Sequence, residues 1–240
     1  MKKAFVAALL IITAIPLLFA VAELPEHGNP GTAVQTHISA RYLKKGAEEA
    51  GTENIVTAVI LNYRGLDTNG EVTVIFTALA AVMAVLLPVA FTAAHRKAEG
   101  TVREPPAVSV VVSFIVRLLA PFIVIFSVYV MINGHTSPGG GFQGGAILGG
   151  LFIVLSIVLG SEKVRPLLPD RAAPWLRIAA PLAFVSMGIL GVLLTGFYLG
   201  FPQEPTLRAV SAAMILVIEI GIGVGGATIF ATLYREMEAQ

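Results

Sequence analysis

The 240-residue chain contains no cysteine. Thiolate-held iron–sulfur clusters, cysteine nucleophiles and disulfides within the chain are therefore excluded. Histidine is scarce as well: His27, His37, His95 and His135 are the only four, and none sits inside an apolar run. That argues against haem held by histidine at membrane depth. Charge is thin too, at 13% of residues, where a soluble domain carries about a quarter. So few polar side chains cannot cover a water-facing surface, and the missing solvent is lipid. A formal net charge of +1 gives no reason to look for nucleic acid or an acidic substrate.

What the chain has instead is apolar length. Hydrophobic residues make up 56% of it, and its mean hydropathy is +0.83. About 20 apolar residues are needed to cross the roughly 30 Å of hydrocarbon. Six stretches qualify, at 4–22, 71–93, 107–132, 139–160, 174–199 and 206–232. The expected fold is all-α: a polytopic transmembrane helical protein in a cell membrane. The run Ile55 to Leu61 is too short to span and reads as interfacial or re-entrant, and Ser39 to Glu49 reads as a short surface helix.

With the N-terminus inside, the inner segments hold Lys2, Lys3, Arg96, Lys97, Arg103, Lys163, Arg165, Arg171 and Arg235. The outer segments hold Arg41, Lys44, Lys45, Arg64 and Arg208. Nine against five places both termini in the cytoplasm. The first span has a second reading, since Lys2-Lys3, an apolar core and Ala20-Val21-Ala22 also form a signal-peptide pattern with a cleavage site. Residues 95–106, with His95-Arg96-Lys97 and Pro105-Pro106, read as a linker between a two-span part, 1–94, and a four-span part, 107–240.

The most distinctive stretch is Gly134 to Gly145, with His135, Ser137, Pro138, Gly139, Gly140, Gly141 and Gln143. Asn133-Gly134 is suited to end one helix, with Ser137 as N-cap of the next and Pro138 in its first position. The glycines then permit close helix approach. A phosphate loop is disfavoured, because no Lys-Ser/Thr follows and no strand precedes. A Ser137–His135 hydrolase is disfavoured by their placement on one tight turn. Two readings stay open: a close-packed hairpin, or a water- or ion-lining role for His135 and Gln143.

Glu219 stands at the centre of the last span, where a carboxyl costs roughly 2.5–3.5 kcal/mol on insertion scales. Balanced between desolvation and a nearby cation, such a group can load and release a proton; a structural hydrogen bond between helices is the alternative. Arg117, in the span 107–132, has a depth compatible with pairing to Glu219, or it snorkels inward along its stem. Pro121 leaves the carbonyl of residue 117 without its helical donor. Glu71 follows Thr68 at capping-box spacing, so it either satisfies a helix start or lines a path. Arg64 and Asp67 flank Gly65 and are placed to pair around that turn.

Two stretches carry a resemblance. Residues 105–240, through Gly134 to Gly145 and Ile218-Glu219-Ile220-Gly221, resemble the MrpB (MnhB) component of the Mrp-type multisubunit cation/proton antiporters. The same domain occurs in archaeal membrane-bound hydrogenases and sulfane sulfur reductases. Residues 1–94, through His27-Gly28-Asn29-Pro30, Thr36-His37-Ile38-Ser39 and Asn54 to Glu71, resemble the C-terminal extension of the large MrpA component of the antiporter. In the membrane-bound hydrogenase that extension stands alone as a separate small polypeptide. Asn62 stands where an acidic residue is common in that family.

The resemblance implies a non-enzymatic subunit that couples Na+ and H+ movement, with Glu219 and Glu71 as path residues and Arg117, His135 and Asp67 beside them. It implies no cofactor and no metal in this chain. The implied partners are the lipid bilayer, other antiporter-module membrane subunits and, in a redox-driven complex, iron–sulfur or hydrogenase-type subunits. It also favours an uncleaved first span. A purely structural scaffold is the remaining alternative.

Overall fold

Apolar length decides the architecture, and the computed structural model is built of helices. It describes residues 2–32, 34–98 and 108–238, among which no strand forms. The longer helices are α1 (Lys2–Ala22), α2 (Ser39–Ala50), α3 (Gly65–Ala98), α4 (Val110–Ile132), α5 (Gly141–Leu159), α6 (Ala179–Thr195) and α7 (Arg208–Glu238). The chain forms two compact units, residues 1–44 and 45–240. In the first, the described residues of α1 are all exposed, as suits a helix whose surface is apolar all round. The second holds the packed core.

Five helices are long and apolar enough to cross a membrane: Lys3–Ala22, Gly65–Val85, Val110–Ile132, Gly141–Leu159 and Pro205–Glu238. The chain is a multi-pass membrane protein. The stretch expected to span at 174–199 is divided. A one-turn helix, Ala173–Arg177, ends at Ile178, and the 17-residue α6 follows. Gly196 stops α6 with φ of +82°, the left-handed C-terminal geometry that glycine adopts without strain.

Three local expectations change. Helix α3 begins at Gly65 rather than at 71, so Thr68 and Glu71 lie inside it and no capping box forms. The Thr68 hydroxyl instead donates to the Ile60 carbonyl at 2.8 Å. The same helix runs on through His95-Arg96-Lys97 to Ala98, because those residues are helix-compatible and the first break in composition is Gly100; residues 99–106 of the expected linker lie outside the described ones. Helix α5 begins at Gly141, with Gly140 in front of it and no side-chain cap. The Ser137 hydroxyl turns back to the Asn133 carbonyl at 2.9 Å, and Pro138 precedes the helix. Asn133 ends α4 as expected.

Between lipid-soluble helices association rests on close packing rather than on water exclusion, and the sequence supplies small residues for it. Helix α5 packs against α4 and α7, and α7 also packs against α6 and α3. A Cβ on Gly145 would lie 2.7 Å from the Gly223 carbonyl oxygen. The two backbones touch at this point. Ser127 on α4 donates to the Gly144 carbonyl on α5 at 2.8 Å. A cluster of Leu61, Val72, Phe184, Met214, Ile215 and Ile218 fills the space among α3, α6, α7 and the segment before α3. Ile55–Thr57 and the π-helix Ala58–Tyr63 form that segment, and Leu61 and Ala58 are buried in it. The short apolar run thus gives Ala58 and Leu61 to the core, while Ile55 and Val56 stay exposed.

Candidate functional site

Glu219 lies eleven residues into α7, about 16 Å along it, and only 7% of its surface is exposed. Its carboxyl does not face lipid. It sits under the hairpin between α4 and α5, where its Oε2 accepts a hydrogen bond from the backbone N–H of Gly141. Gly141 is the first residue of α5, so this N–H has no partner within the helix. The carboxyl therefore meets the positive end of a helix. That placement is worth up to about 2 kcal/mol in partly buried geometries, and a hydrogen bond to a charged group about 1.5–3 kcal/mol. Both offset the cost of taking a carboxylate out of water.

The glycines make the approach possible. A Cβ on Gly140 would lie 2.9 Å from Glu219 Oε2 and 3.1 Å from Gln143 Oε1. The carboxyl and the Gln143 amide thus share the space over the Gly140 α-carbon. Gly140 has φ of +147° and ψ of −179°, a conformation essentially confined to glycine. A Cβ on Gly134 would lie 2.8 Å from the Gly140 α-carbon and 3.2 Å from the Glu219 carboxyl carbon. Gly139 packs instead on Val130. Of the expected hairpin residues, Gly134, Gly140, Gly141 and Gln143 gather around Glu219, and Pro138 and Ser137 shape the turn.

Arg117 does not join them. It is exposed on α4, fifteen residues before Ile132 and so about 22 Å along the helix from the hairpin. The expected pairing with Glu219 is not made. Helix α7 continues to Glu238 and α4 starts at Val110, and the bond to Gly141 sets Glu219 level with the C-terminal end of α4 rather than with its middle. Helix α4 runs unbroken through Pro121. Among the described residues, no cation pairs with Glu219.

Glu71 is exposed on α3 and lines an open groove with Val74, Ile75 and Phe142. Phe142 follows Gly141, the donor to Glu219. Adjacent residues of α5 thus meet the two sites, Phe142 lining the groove of Glu71 and Gly141 donating to Glu219. Arg64 and Asp67 pair around Gly65 with Nε to Oδ2 at 2.5 Å; both are more than half exposed, a setting in which ion pairs contribute about 0–1 kcal/mol. Gly65 is buried, and a Cβ there would lie 3.0 Å from Leu199 Cδ1. His135 is partly buried and is engaged through its carbonyl, which accepts from the Thr52 hydroxyl at 2.5 Å and the Asn54 N–H at 3.2 Å.

Sequence reasoning did not single out Thr52, Asn54 and Thr57. All three are buried, and all three reach the hairpin. The Asn54 amide donates to the carbonyls of Gly134 at 2.7 Å and Ser137 at 2.6 Å, and the Thr57 hydroxyl donates to Gly134 at 2.6 Å. The available signal was their position: Thr52 and Asn54 precede, and Thr57 interrupts, an apolar run too short to span. Among the described residues no cluster of His, Asp and Glu suits a metal ion.

Residues 111–230 match the family described as a domain related to the MnhB subunit of Na+/H+ antiporter. The chain belongs to this family. Residues 29–105 match a second family, MbhE, a component of MBH, so the Glu219 cradle comes from the MnhB-related part and the donors at 52–57 from the other. The chain is 30% identical over 110 residues to the B-type component of the Na(+)/H(+) antiporter of Bacillus subtilis, covering 44% of this chain and 76% of that protein. In structure it is similar to a chain of the membrane-bound sulfane sulfur reductase, an archaeal respiratory membrane complex, with a TM-score of 0.70, 31% identity and coverage of 99% of this chain and 98% of that one. It is also similar to a chain of the Mrp complex from Dietzia sp. DQ12-45-1b, with a TM-score of 0.63, 25% identity and coverage of 97% of this chain and 26% of that one.

Proposed function

We propose that this chain is a membrane subunit of a multisubunit monovalent cation (Na+)/H+ antiporter module, with Glu219 and Glu71 on its translocation path. The observation that carries the reading is the Glu219 carboxyl: buried among the helices and held by a helix N-terminus, with no neighbouring cation among the described residues to neutralise it. A carboxyl built only to tie helices together has no need of a glycine-lined space shared with Gln143. The open groove at Glu71 is lined by Phe142, the neighbour of the Glu219 donor Gly141, which supports a route between the two acids. The chain performs no catalysis itself. It carries no cofactor in this reading, and its substrates are Na+ and H+. Exchange measured in membrane vesicles containing the complex with Glu219→Gln tests it: transport is lost while the complex still assembles. Normal exchange by assembled variant complexes overturns it.

A second reading places the same module in a redox-driven respiratory complex, with electron transfer on iron–sulfur subunits moving the ions. It is favoured by the end-to-end likeness to a sulfane sulfur reductase chain. Iron and labile sulfide in the purified complex decide between the two.

A further inference from the structure

The hairpin that surrounds Glu219 is not held by α4 and α5 alone. Its first arm offers three carbonyls, and each is taken by the segment at 52–57. Gly134 O accepts from both Asn54 Nδ2 and Thr57 Oγ1, which uses both of its lone pairs. His135 O accepts from Thr52 Oγ1 and Asn54 N, and Ser137 O accepts from Asn54 Nδ2. The Asn54 side chain is fully committed, because its Oδ1 accepts from the Val56 N–H at 3.0 Å. A turned amide would set oxygen against two carbonyls.

We propose that Thr52, Asn54 and Thr57 are positioning residues for the Glu219 carboxyl, fixing the hairpin backbone that surrounds it. The inference rests on the reading of Glu219 as a path residue. Its physical basis is the double contact of one residue. The carbonyl of Gly134 takes two of the bonds, while its α-carbon abuts Gly140 and the Glu219 carboxyl, where a Cβ would lie 2.8 Å and 3.2 Å away. A shift of this residue reaches the carboxyl without an intervening side chain. In a low-dielectric interior each carbonyl left without a donor costs more than it would near water, so the hairpin follows its donors.

The donors also lead back to α3. Thr57 enters the π-helix Ala58–Tyr63, a form found mostly at functional sites, and Thr68 on α3 bonds the Ile60 carbonyl within it. The clamp therefore joins the helix bearing Glu71 to the cradle of Glu219. On the elements packed around Glu219, the titratable or charged groups are His135 in the hairpin, exposed Asp67 and Glu71 at the start of α3, and exposed Arg117 on α4, about 22 Å along the helix from the hairpin. Helix α6 supplies none, the last turn of α4 supplies only exposed Tyr129, and on α7 the nearest is Arg208, eleven residues away.

The test compares Thr57→Val with Thr57→Ser in the whole complex, with Thr52→Val and Thr52→Ser as a second pair. Each valine leaves its carbonyl one remaining donor. The Glu219 carboxyl band is assigned in infrared difference spectra by its loss in Glu219→Gln. The valine variants are expected to move the frequency and pH midpoint of that band and to change the apparent cation KM about three- to tenfold, the scale of one lost hydrogen bond; the serine variants stay at wild type. An unmoved band in assembled valine complexes overturns the proposal, even if their abundance falls. If Glu219→Gln complexes transport normally, the path reading fails instead, and the band alone still judges the positioning.

Discussion

The Oε2 of Glu219 accepts its hydrogen bond from the Gly141 backbone, at the point where α5 begins. No side chain mediates the contact. The partner of this buried acid is thus a peptide group and a helix end, neither of which ionises, so within this contact only the acid can change state. A lysine or arginine in that place would lock the carboxylate as an ion pair.

Replacing the acid is therefore expected to separate transport from folding. Glu219→Gln keeps the size and an oxygen for the Gly141 N–H. Complex abundance should stay at wild type while Na+-dependent proton flux in vesicles falls at least about tenfold, equivalent to about 1.4 kcal/mol or more.

Gly140→Ala tests the cradle itself. The residue would have to keep φ of +147° and place a Cβ 2.9 Å from Glu219 Oε2. The backbone strain alone costs about 1–3 kcal/mol. A lowered melting temperature of the purified complex is expected. Gly150→Ala is the control: it lies in the neighbouring helix α5 with nothing within 4 Å of the added carbon. It should be neutral or gain up to about 1 kcal/mol.

At the groove, Glu71→Gln should lower exchange without lowering abundance, because the side chain is exposed and its helix start does not depend on it. Phe142→Ala removes a ring that lines the groove, one residue from the Glu219 donor Gly141. It should raise the sensitivity of transport to water-soluble carboxyl reagents while costing stability of about 3–5 kcal/mol or less, the range for a buried phenylalanine. Unaltered reagent sensitivity would remove Phe142 from the route.

Arg117→Leu should leave the Glu219 carboxyl band where it is, since about 22 Å of helix separates the two. A displaced band would mean that the arginine reaches the site after all.

How much of this could be read from residues alone follows from which interactions are local. Helix positions were legible because crossing hydrocarbon demands apolar length, and α4 and α5 lie where the apolar runs lie. Glu219 stood out through the cost of a carboxyl in an apolar run. Its partner did not, because a backbone N–H has no letter in the sequence, and Arg117 drew attention as the nearest visible charge. The helix caps failed for a related reason. Thr68 and Ser137 have local cap spacing, but tertiary packing starts α3 earlier, at Gly65, and delays α5 to Gly141. Thr52, Asn54 and Thr57 lie 77 to 83 residues from the carbonyls they bind, a distance that local pattern does not bridge.

Helix α6, at 17 residues, is about 26 Å long, some 4 Å less than the hydrocarbon it borders. A bilayer meeting so short a helix thins or dimples around it. Lipids of longer acyl chain would deepen that deformation wherever α6 alone meets the hydrocarbon.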